Sequence, residues 1–137
     1  MALLLPDDYA HLNGQGVEHT EDEAQRIFVL RNFPLSVGLF QQACVDVLIQ
    51  IPSAYPDQGI DMYWTSPRLQ LASGAAIAAT SDHGANENVV WEGNEYCRWS
   101  RHWEQYPDTK WRPGTDAAHT ILQRIRWCLN HPNPPPL

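Results

Sequence analysis

The sequence predicts an α+β fold in which one long helix covers a face of an antiparallel β-sheet. Residues 43–51 alternate with period two, which places Val45, Val47, Ile49 and Ile51 on one face of a strand. Residues 118–129 repeat apolar side chains at helical spacing, which predicts an amphipathic helix. Because the strand-like segments are consecutive and joined by short links, an antiparallel meander is favoured.

Each element of the first half has a local signal. Pro6 followed by two aspartates predicts a short N-terminal helix, which Gly14 and Gly16 would end. Residues 17–20 are predicted to form a weak strand, 21–23 a turn and 26–33 a strong strand, and these together predict a hairpin. Residues 43–51 and 61–65 follow as the third and fourth strands. Cys44 is predicted to pack as a small hydrophobe on the second face of the sheet.

The second half is predicted to be irregular until its final helix. Residues 68–95 are mostly small or polar, which is typical of a mobile or functional loop. Residues 96–103 continue this long irregular region. A helix is then predicted with Thr115 or Asp116 as its N-cap and Cys128 on its apolar stripe. The prolines at 132 and 134–136 are expected to prevent its continuation.

Composition sets limits on location and partners. The chain has 137 residues and a net charge of −7, which predicts one domain and disfavours binding to nucleic acid or to an anionic membrane. No convincing signal peptide or membrane-spanning stretch is present. The three cysteines are far apart and form no Cys-x-x-Cys pair, which favours a reducing, cytoplasmic setting.

Residues 96–103 concentrate reactive side chains more densely than any other stretch. They include the Cys97 thiol, the Ser100 hydroxyl, the His102 imidazole and the guanidiniums of Arg98 and Arg101. A thiol or hydroxyl beside an imidazole is the minimum set for covalent catalysis. The alternative interpretation is structural: the two tryptophans of the stretch anchor the core, and the arginines stack on them or pair with acids.

Four segments resemble those of the ubiquitin-conjugating-enzyme (UBC) superfamily. Residues 52–56 and 61–64 resemble the Pro-x-x-Tyr-Pro kink after the third strand and the fourth strand that follows it. Residues 111–113 and 132–134 resemble the Trp-x-Pro segment before the crossing helix and the Pro-Asn-Pro segment after it. The sequence Trp-Ser-Arg-His at 99–102 is similar to a core found in a bacterial branch, prokaryotic family E.

The resemblance implies a single UBC-like domain over residues 1–137, without the usual C-terminal helices. It implies a conjugating carrier that accepts the activated C-terminus of a ubiquitin-like protein as an ester or thioester and transfers it to an amine on a target. The implied partners are the ubiquitin-like protein, an adenylating activating enzyme and a deconjugating metalloprotease of the same pathway. No cofactor is expected.

The resemblance leaves the nucleophile open between Ser100 and Cys97. Family position and the neighbouring His102 favour Ser100. The intrinsic reactivity of a thiol favours Cys97, and the nearby arginines are expected to lower its pKa. Arg101 and the loop residue His83 are predicted to support the site. The family's His-Pro-Asn tripeptide, which supports the oxyanion, stands here at 131–133, after the helix and on the wrong side of the reactive stretch.

Two other functions compete with conjugation. A catalytically inactive UBC-like or RWD-like binding module would recognise a ubiquitin-like protein or its activating enzyme, and the displaced His-Pro-Asn favours it. A metal-dependent hydrolase would use His83, Cys97, His102 and His119, whose side chains suit zinc but whose spacing matches no known pattern. We therefore expect a site without metal.

Overall fold

A computed structural model describes residues 2–134, and within them two helices and six strands form an α+β fold. The helices are α1 (Pro6–Gly14) and α2 (Ala118–Asn130), and a 3₁₀ turn covers Trp103–Gln105. The strands are β1 (Glu18–Asp22), β2 (Ile27–Pro34), β3 (Cys44–Gln50), β4 (Met62–Ser66), β5 (Val89–Trp91) and β6 (Asn94–Ser100).

The six strands form one curled antiparallel sheet in the order β1-β2-β3-β4-β6-β5. The prediction of a four-stranded meander followed by a long irregular region is wrong, because β5 and β6 form a hairpin inside that region. Strand β4 pairs with β6 and not with the next strand along the chain. Residues 79–81 also run beside β6, where the N–H of Ser81 donates to the carbonyl of Arg98 at 3.0 Å.

Helix α2 covers one face of the sheet with the stripe that the sequence predicts. All six predicted positions are buried, including Cys128: Ala118, Ile121, Leu122, Ile125, Cys128 and Leu129. The prediction of a long crossing helix is not matched, because the helix is only 13 residues long and begins at Ala118, later than predicted. The chain forms a turn before it, in which the Arg112 N–H donates to Asp116 Oδ2 at 2.8 Å.

Asp116 is a buried carboxylate in that turn. Burial raises the pKa of Asp116, but hydrogen bonds from the Arg112 N–H and the Thr120 hydroxyl outweigh this, and the net pKa lies below its ordinary value. The charged form is therefore the one that the fold stabilises.

Two buried clusters show which strand residues share a face. The larger lies between the sheet and α2 and includes Val45, Val47, Ile49 and Ile51, as predicted. The smaller lies on the opposite face: Ile27, Val29, Leu48, Trp64, Trp91 and Tyr96. Because both faces are covered, the central strands carry buried side chains on both sides.

Several local predictions need correction. Cys44 begins β3 and is exposed, so it does not pack on the second face of the sheet. Strand β1 continues to Asp22, through residues predicted as a turn, because it pairs with β2 as far as Ile27. No helix within residues 2–134 has the length and apolar content needed to cross a membrane. Pro135 and Pro136, predicted to block continuation of the helix, lie outside the described residues.

Two of the connector segments pack against each other. The indole N–H of Trp111 donates to the carbonyl of Pro56 at 2.7 Å. Its ring lies so close to Gly59 that a Cβ there would come within 2.1 Å of it. Tyr55 contacts the same ring and donates its hydroxyl to Asp8 Oδ2 at 2.7 Å. The segments at 52–56 and 111–113 thus hold the start of β4 and the approach to α2 together.

Candidate active site

The reactive stretch lies at the end of β6 and not in an irregular loop. Strand β6 runs to Ser100, where its backbone N–H donates to the carbonyl of Ala79 at 2.9 Å. Arg101 and His102 then leave the strand and lead into the 3₁₀ turn. Ser100 is therefore fixed by a paired backbone, while His102 is placed by the turn that follows.

Strand geometry separates the two nucleophiles that the sequence offered. Ser100 lies opposite Met62 and Cys97 opposite Thr65 in the β4–β6 pairing. Successive residues of a strand point to opposite faces, so residues three apart also lie on opposite faces. Cys97 is on the α2 side with Trp99, and Ser100 is on the other side with Arg98. One histidine therefore cannot serve both groups.

Ser100 is in hydrogen-bond contact with His102. Its Oγ lies 2.5 Å from His102 Nε2. A continuous strand would place these two side chains on one side of the backbone, but β6 ends at Ser100, before His102. His102 has a left-handed backbone (φ 53°, ψ 47°), which is uncommon for a non-glycine residue. This conformation turns the imidazole back to the serine two residues earlier.

Asp61 contacts the other ring nitrogen of His102. Its Oδ2 lies 3.3 Å from Nδ1, and its carbonyl accepts the His102 N–H at 2.9 Å. Its Oδ1 accepts the N–H of Glu104 at 2.9 Å, which fixes the carboxylate in place. Asp61 was not predicted from the sequence as a site residue. The sequence does show a carboxylate immediately before β4. Its place in the site can be inferred only when β4 is known to pair with β6.

A second line of contacts connects the site to the Trp-x-Pro segment. Glu104, whose N–H holds Asp61, accepts the backbone N–H of Trp111 at its Oε1, at 2.9 Å. A continuous chain of hydrogen bonds thus runs from Trp111 through Glu104, Asp61 and His102 to Ser100. The core ring of Trp111 therefore supports the orientation of the exposed site.

This arrangement has the components of nucleophilic catalysis. A hydroxyl faces one imidazole nitrogen, and a carboxylate faces the other. With Nδ1–H donated to Asp61, Nε2 carries the lone pair that can take the hydroxyl proton. The side chains of His102 and Asp61 are 43% and 33% exposed, so the site is open to a partner. A groove of about 570 Å³ begins at Asp61 and Met62 and continues along Pro52 and Trp64.

The sequence of the chain matches one known protein family. The profile of prokaryotic E2 family E matches residues 4–132. The chain belongs to this family. Membership supports a general role in a ubiquitin-like conjugation pathway, with a ubiquitin-like protein and an activating enzyme as partners in general terms. No curated protein and no solved structure matches the chain.

In this member of prokaryotic E2 family E, Arg101 lies against the protein. Its guanidinium stacks over the Trp99 ring at 4.7 Å. One of its amino groups donates to the carbonyls of Ser100, Ala78 and Ala79 at 3.0 to 3.4 Å. These contacts clamp the segment at 78–79 against the end of β6. Arg101 thus makes structural contacts beside Ser100, and its supporting role in the site stays a prediction.

The position of Asn133 shows that the His-Pro-Asn tripeptide at 131–133 lies closer to the site than the sequence order suggested. The tripeptide follows α2 in sequence, yet Asn133 Oδ1 accepts the N–H of Ala78 at 2.7 Å and its Nδ2 donates to the carbonyl of Ala76 at 2.7 Å. Arg101 and Asn133 thus hold the same loop from two sides. The tripeptide is not remote from the site, although Asn133 uses both amide atoms on the backbone.

Cys97 has a different environment from the one predicted. It is 1% exposed, and burial together with the nearby Glu95 carboxylate raises the pKa of its thiol. The expectation that the arginines of the stretch lower this pKa is therefore wrong. Its Sγ lies 3.9 Å from His83 Nδ1. His83 thus lies beside Cys97, and the contacts of Ser100 are made with His102.

The four-residue zinc set considered for a hydrolase is not assembled. His102 contacts Ser100 and Asp61, and the His119 ring lies near that of His11, with their centroids 6.1 Å apart. Within residues 2–134, the group with metal-ligating atoms in mutual reach comprises His83, Glu95 and Cys97. A hydrolase built on the predicted set is therefore not supported.

Arg98 is a further residue of this face that was not among the predicted site residues. It lies on the Ser100 face, opposite Trp64. Its Nη2 is 3.8 Å from Glu87 Oε1, while its buried Nε has no hydrogen-bond partner among the described residues. A partly exposed guanidinium, two residues from the serine on the same face, is a candidate for stabilising negative charge.

Proposed function

We propose that this chain is a conjugating carrier that holds the C-terminus of a ubiquitin-like protein as an oxyester on Ser100 and passes it to an amine. The observation that carries this proposal is the Ser100–His102–Asp61 arrangement, with 2.5 Å from Oγ to Nε2 and 3.3 Å from Nδ1 to Oδ2. Family membership supports a ubiquitin-like protein as the source of the acyl group, and the geometry supports the choice of atom.

The loading step is an acyl transfer to the serine. Ser100 Oγ attacks the activated carbonyl while His102 Nε2 takes its proton, and Asp61 stabilises the imidazolium through Nδ1–H. The tetrahedral intermediate expels the activating group, which is a phosphate ester or a thiolate of the activating enzyme. One C–O bond forms and one bond to the leaving group breaks, so the ester is formed without net redox change.

The discharge step reverses these roles. An amine of the target attacks the ester carbonyl, an isopeptide bond forms and the ester C–O bond breaks. His102 returns a proton to Ser100 Oγ as it leaves. An oxyester is intrinsically less reactive toward amines than a thioester, so donors for the oxyanion matter more. The guanidinium of Arg98, whose side chain is 32% exposed on this face, is the group we assign to that charge.

The groove beside Asp61 fits the incoming tail. It is open and lined by Ile60, Met62 and Trp64 as well as by polar residues, among them Arg26. An extended C-terminal tail lying in it would place its carbonyl end near the Ser100–Met62 pair. A deconjugating metalloprotease as a further pathway component stays a prediction from the family resemblance.

The test is adduct formation with the cognate ubiquitin-like protein, its activating enzyme and ATP. We expect a covalent adduct that survives excess dithiothreitol, is cleaved by mild alkali and is absent in Ser100→Ala. Cys97→Ala is expected to retain it. Loss of the adduct in Cys97→Ala with retention in Ser100→Ala would reassign the nucleophile, and retention in both would reject the mechanism.

A binding module without catalysis is the second candidate. It is favoured by the lack of a His-Pro-Asn tripeptide ahead of residue 100 and by the use of both Asn133 amide atoms on backbone. It predicts measurable affinity for the ubiquitin-like protein or its activating enzyme but no adduct with ATP. Calorimetry on the same proteins, run beside the adduct assay, separates the two functions.

A further inference from the structure

A second cluster of ligating side chains lies on the opposite face of β6 from Ser100. It consists of His83 from the loop before β5 together with Glu95 and Cys97 from β6. One ligand atom from each lies within 4.8 Å of the other two. His83 Nδ1 is 2.7 Å from Glu95 Oε1 and 3.9 Å from Cys97 Sγ.

The geometry differs from that of a proton relay. In the Ser100 site, His102 uses one nitrogen for the nucleophile and the other for the carboxylate. Here the same His83 nitrogen faces both the thiol and the carboxylate, so no proton can pass from Cys97 through the ring to Glu95. Three ligand atoms within 4.8 Å of one another are instead an arrangement in which a metal ion can be bound.

The two distances from His83 Nδ1 fit a tetrahedral zinc ion with small adjustments. With Zn–S of about 2.3 Å and Zn–N or Zn–O of about 2.0 to 2.1 Å, tetrahedral geometry separates S from N by about 3.6 Å and N from O by about 3.3 Å. The thiol–imidazole distance is 3.9 Å, so Cys97 and His83 are already close to this spacing. The imidazole–carboxylate contact of 2.7 Å has to open by about 0.6 Å as the ion replaces the hydrogen bond.

Neighbouring groups orient the carboxylate in advance. Glu95 Oε2 accepts the N–H of Gly84 at 2.7 Å and the side-chain amide of Asn88 at 3.1 Å. The same amide group of Asn88 donates to the carbonyl of Asp82 at 2.7 Å. Oε1 is thereby left for the ion, and partners of this kind behind a ligand strengthen metal binding in proteins.

We propose that His83 Nδ1, Glu95 Oε1 and Cys97 Sγ bind one Zn²⁺, with water in the fourth position. Binding breaks the S–H bond of Cys97, releases its proton to solvent and forms the Zn–S bond. The ion ties the loop at 81–88 to β6, three residues before Ser100. This proposal departs from the expectation of a site without metal. The ion takes no part in the acyl transfer at Ser100, because Ser100 and His102 lie on the other face.

Metal titration of the chelator-treated full-length protein tests this site. We expect one equivalent of Zn²⁺ to bind, and one equivalent of Co²⁺ to give a thiolate-to-cobalt charge-transfer band. Cys97→Ser is expected to lose the band and Cys44→Ser, a matched change at an exposed cysteine, to keep it. Asn88→Ala is expected to weaken Zn²⁺ binding about 10- to 100-fold through the carboxylate it orients.

His83→Gln keeps the test decisive if Cys97→Ser does not fold, because His83 is 65% exposed in its side chain and its replacement leaves the core intact. It is expected to weaken Zn²⁺ binding at least about tenfold with an unchanged far-ultraviolet spectrum. No stoichiometric binding by the wild type, or equal binding by the wild type and His83→Gln, would overturn the proposal. Ser100→Ala is expected to bind Zn²⁺ as the wild type does, which separates this site from the acyl-transfer site.

Discussion

Replacing Asp61 with asparagine is expected to slow loading of Ser100 by about 10² to 10³-fold. Asp61 Oδ1 is held by the N–H of Glu104, and the introduced asparagine would keep its carbonyl oxygen there. Its amide NH₂ would then replace Oδ2 and donate to His102 Nδ1. The ring is forced to carry its proton on Nε2, which faces Ser100 and can no longer accept the hydroxyl proton.

The size of the expected loss in loading rate follows from the solvent exposure of the Asp61 and His102 side chains. In a fully buried Ser-His-Asp triad, the same exchange costs about 10⁴-fold, through the wrong tautomer. The Asp61 side chain is 33% exposed and its Oδ2 is 3.3 Å from Nδ1, so water competes for the ring and screens the carboxylate. A smaller loss is expected for that reason.

Single-turnover loading, quenched in acid and followed by gel, gives the rate directly. The control is Asp108→Asn, which makes the same change in charge at an exposed position. The melting temperature of Asp61→Asn should stay near that of the wild type, because the bond to Glu104 is kept. Equal loading rates for Asp61→Asn and Asp108→Asn, with Ser100→Ala inactive, would refute the assigned role of the carboxylate.

Three further predictions concern the nucleophile and the fold. Ser100→Cys is expected to form a thioester that dithiothreitol cleaves, whereas the wild-type ester resists it. Asp116→Asn is expected to lower the free energy of unfolding by about 1 to 2 kcal/mol at pH 7, measured by urea titration. This difference should begin to shrink as the pH falls below about 4, near the unfolded-state pKa, and should be lost as the pH falls through the lower folded-state pKa of Asp116. Gly59→Ala is expected to cost about 3 kcal/mol, or about 10 °C in melting temperature, because its Cβ would come within 2.1 Å of the buried Trp111 ring.

Each of these three predictions could be contradicted by a specific experimental result. A wild-type adduct that dithiothreitol cleaves would show that Ser100 does not carry the acyl group. If the loss of stability in Asp116→Asn stayed constant down to acid pH, the negative charge of Asp116 would not be its cause. Gly14→Ala is the control for Gly59→Ala, since a Cβ at Gly14 meets no atom within 4 Å. Equal melting temperatures for the two variants would mean that the Trp111 ring moves aside.

The parts of the fold with a one-sided pattern were predictable from sequence. The stripe of α2 and the alternation of β3 both separate a buried face from a polar one, and both predictions agree with the structure. Strand β6 gives no such signal, because Tyr96, Cys97 and Trp99 are buried on its two faces. Its composition therefore suggested a reactive loop.

The site was predictable to the extent that it is local. Ser100 and His102 are two residues apart, so the sequence alone shows that they are neighbours, and the left-handed backbone of His102 then brings their side chains into contact. Asp61 is 41 residues from His102, and it joins them only because β4 pairs with β6 across the intervening β5 hairpin. That pairing skips a strand of the chain, so no local pattern reports it.

Strand geometry also separates the two candidate nucleophiles between which the sequence left the choice open. Cys97 and Ser100 are three residues apart, an odd number, and on a strand this places them on opposite faces. Cys97 faces a histidine that offers one nitrogen to both thiol and carboxylate, which suits coordination of an ion. Ser100 faces a histidine that offers its two nitrogens to two partners, which suits transfer of a proton. The Cys97 thiol is intrinsically the more reactive group, but it lies in the setting that suits metal binding. The Ser100 hydroxyl is the weaker nucleophile, and it is the one that contacts a histidine able to act as its base.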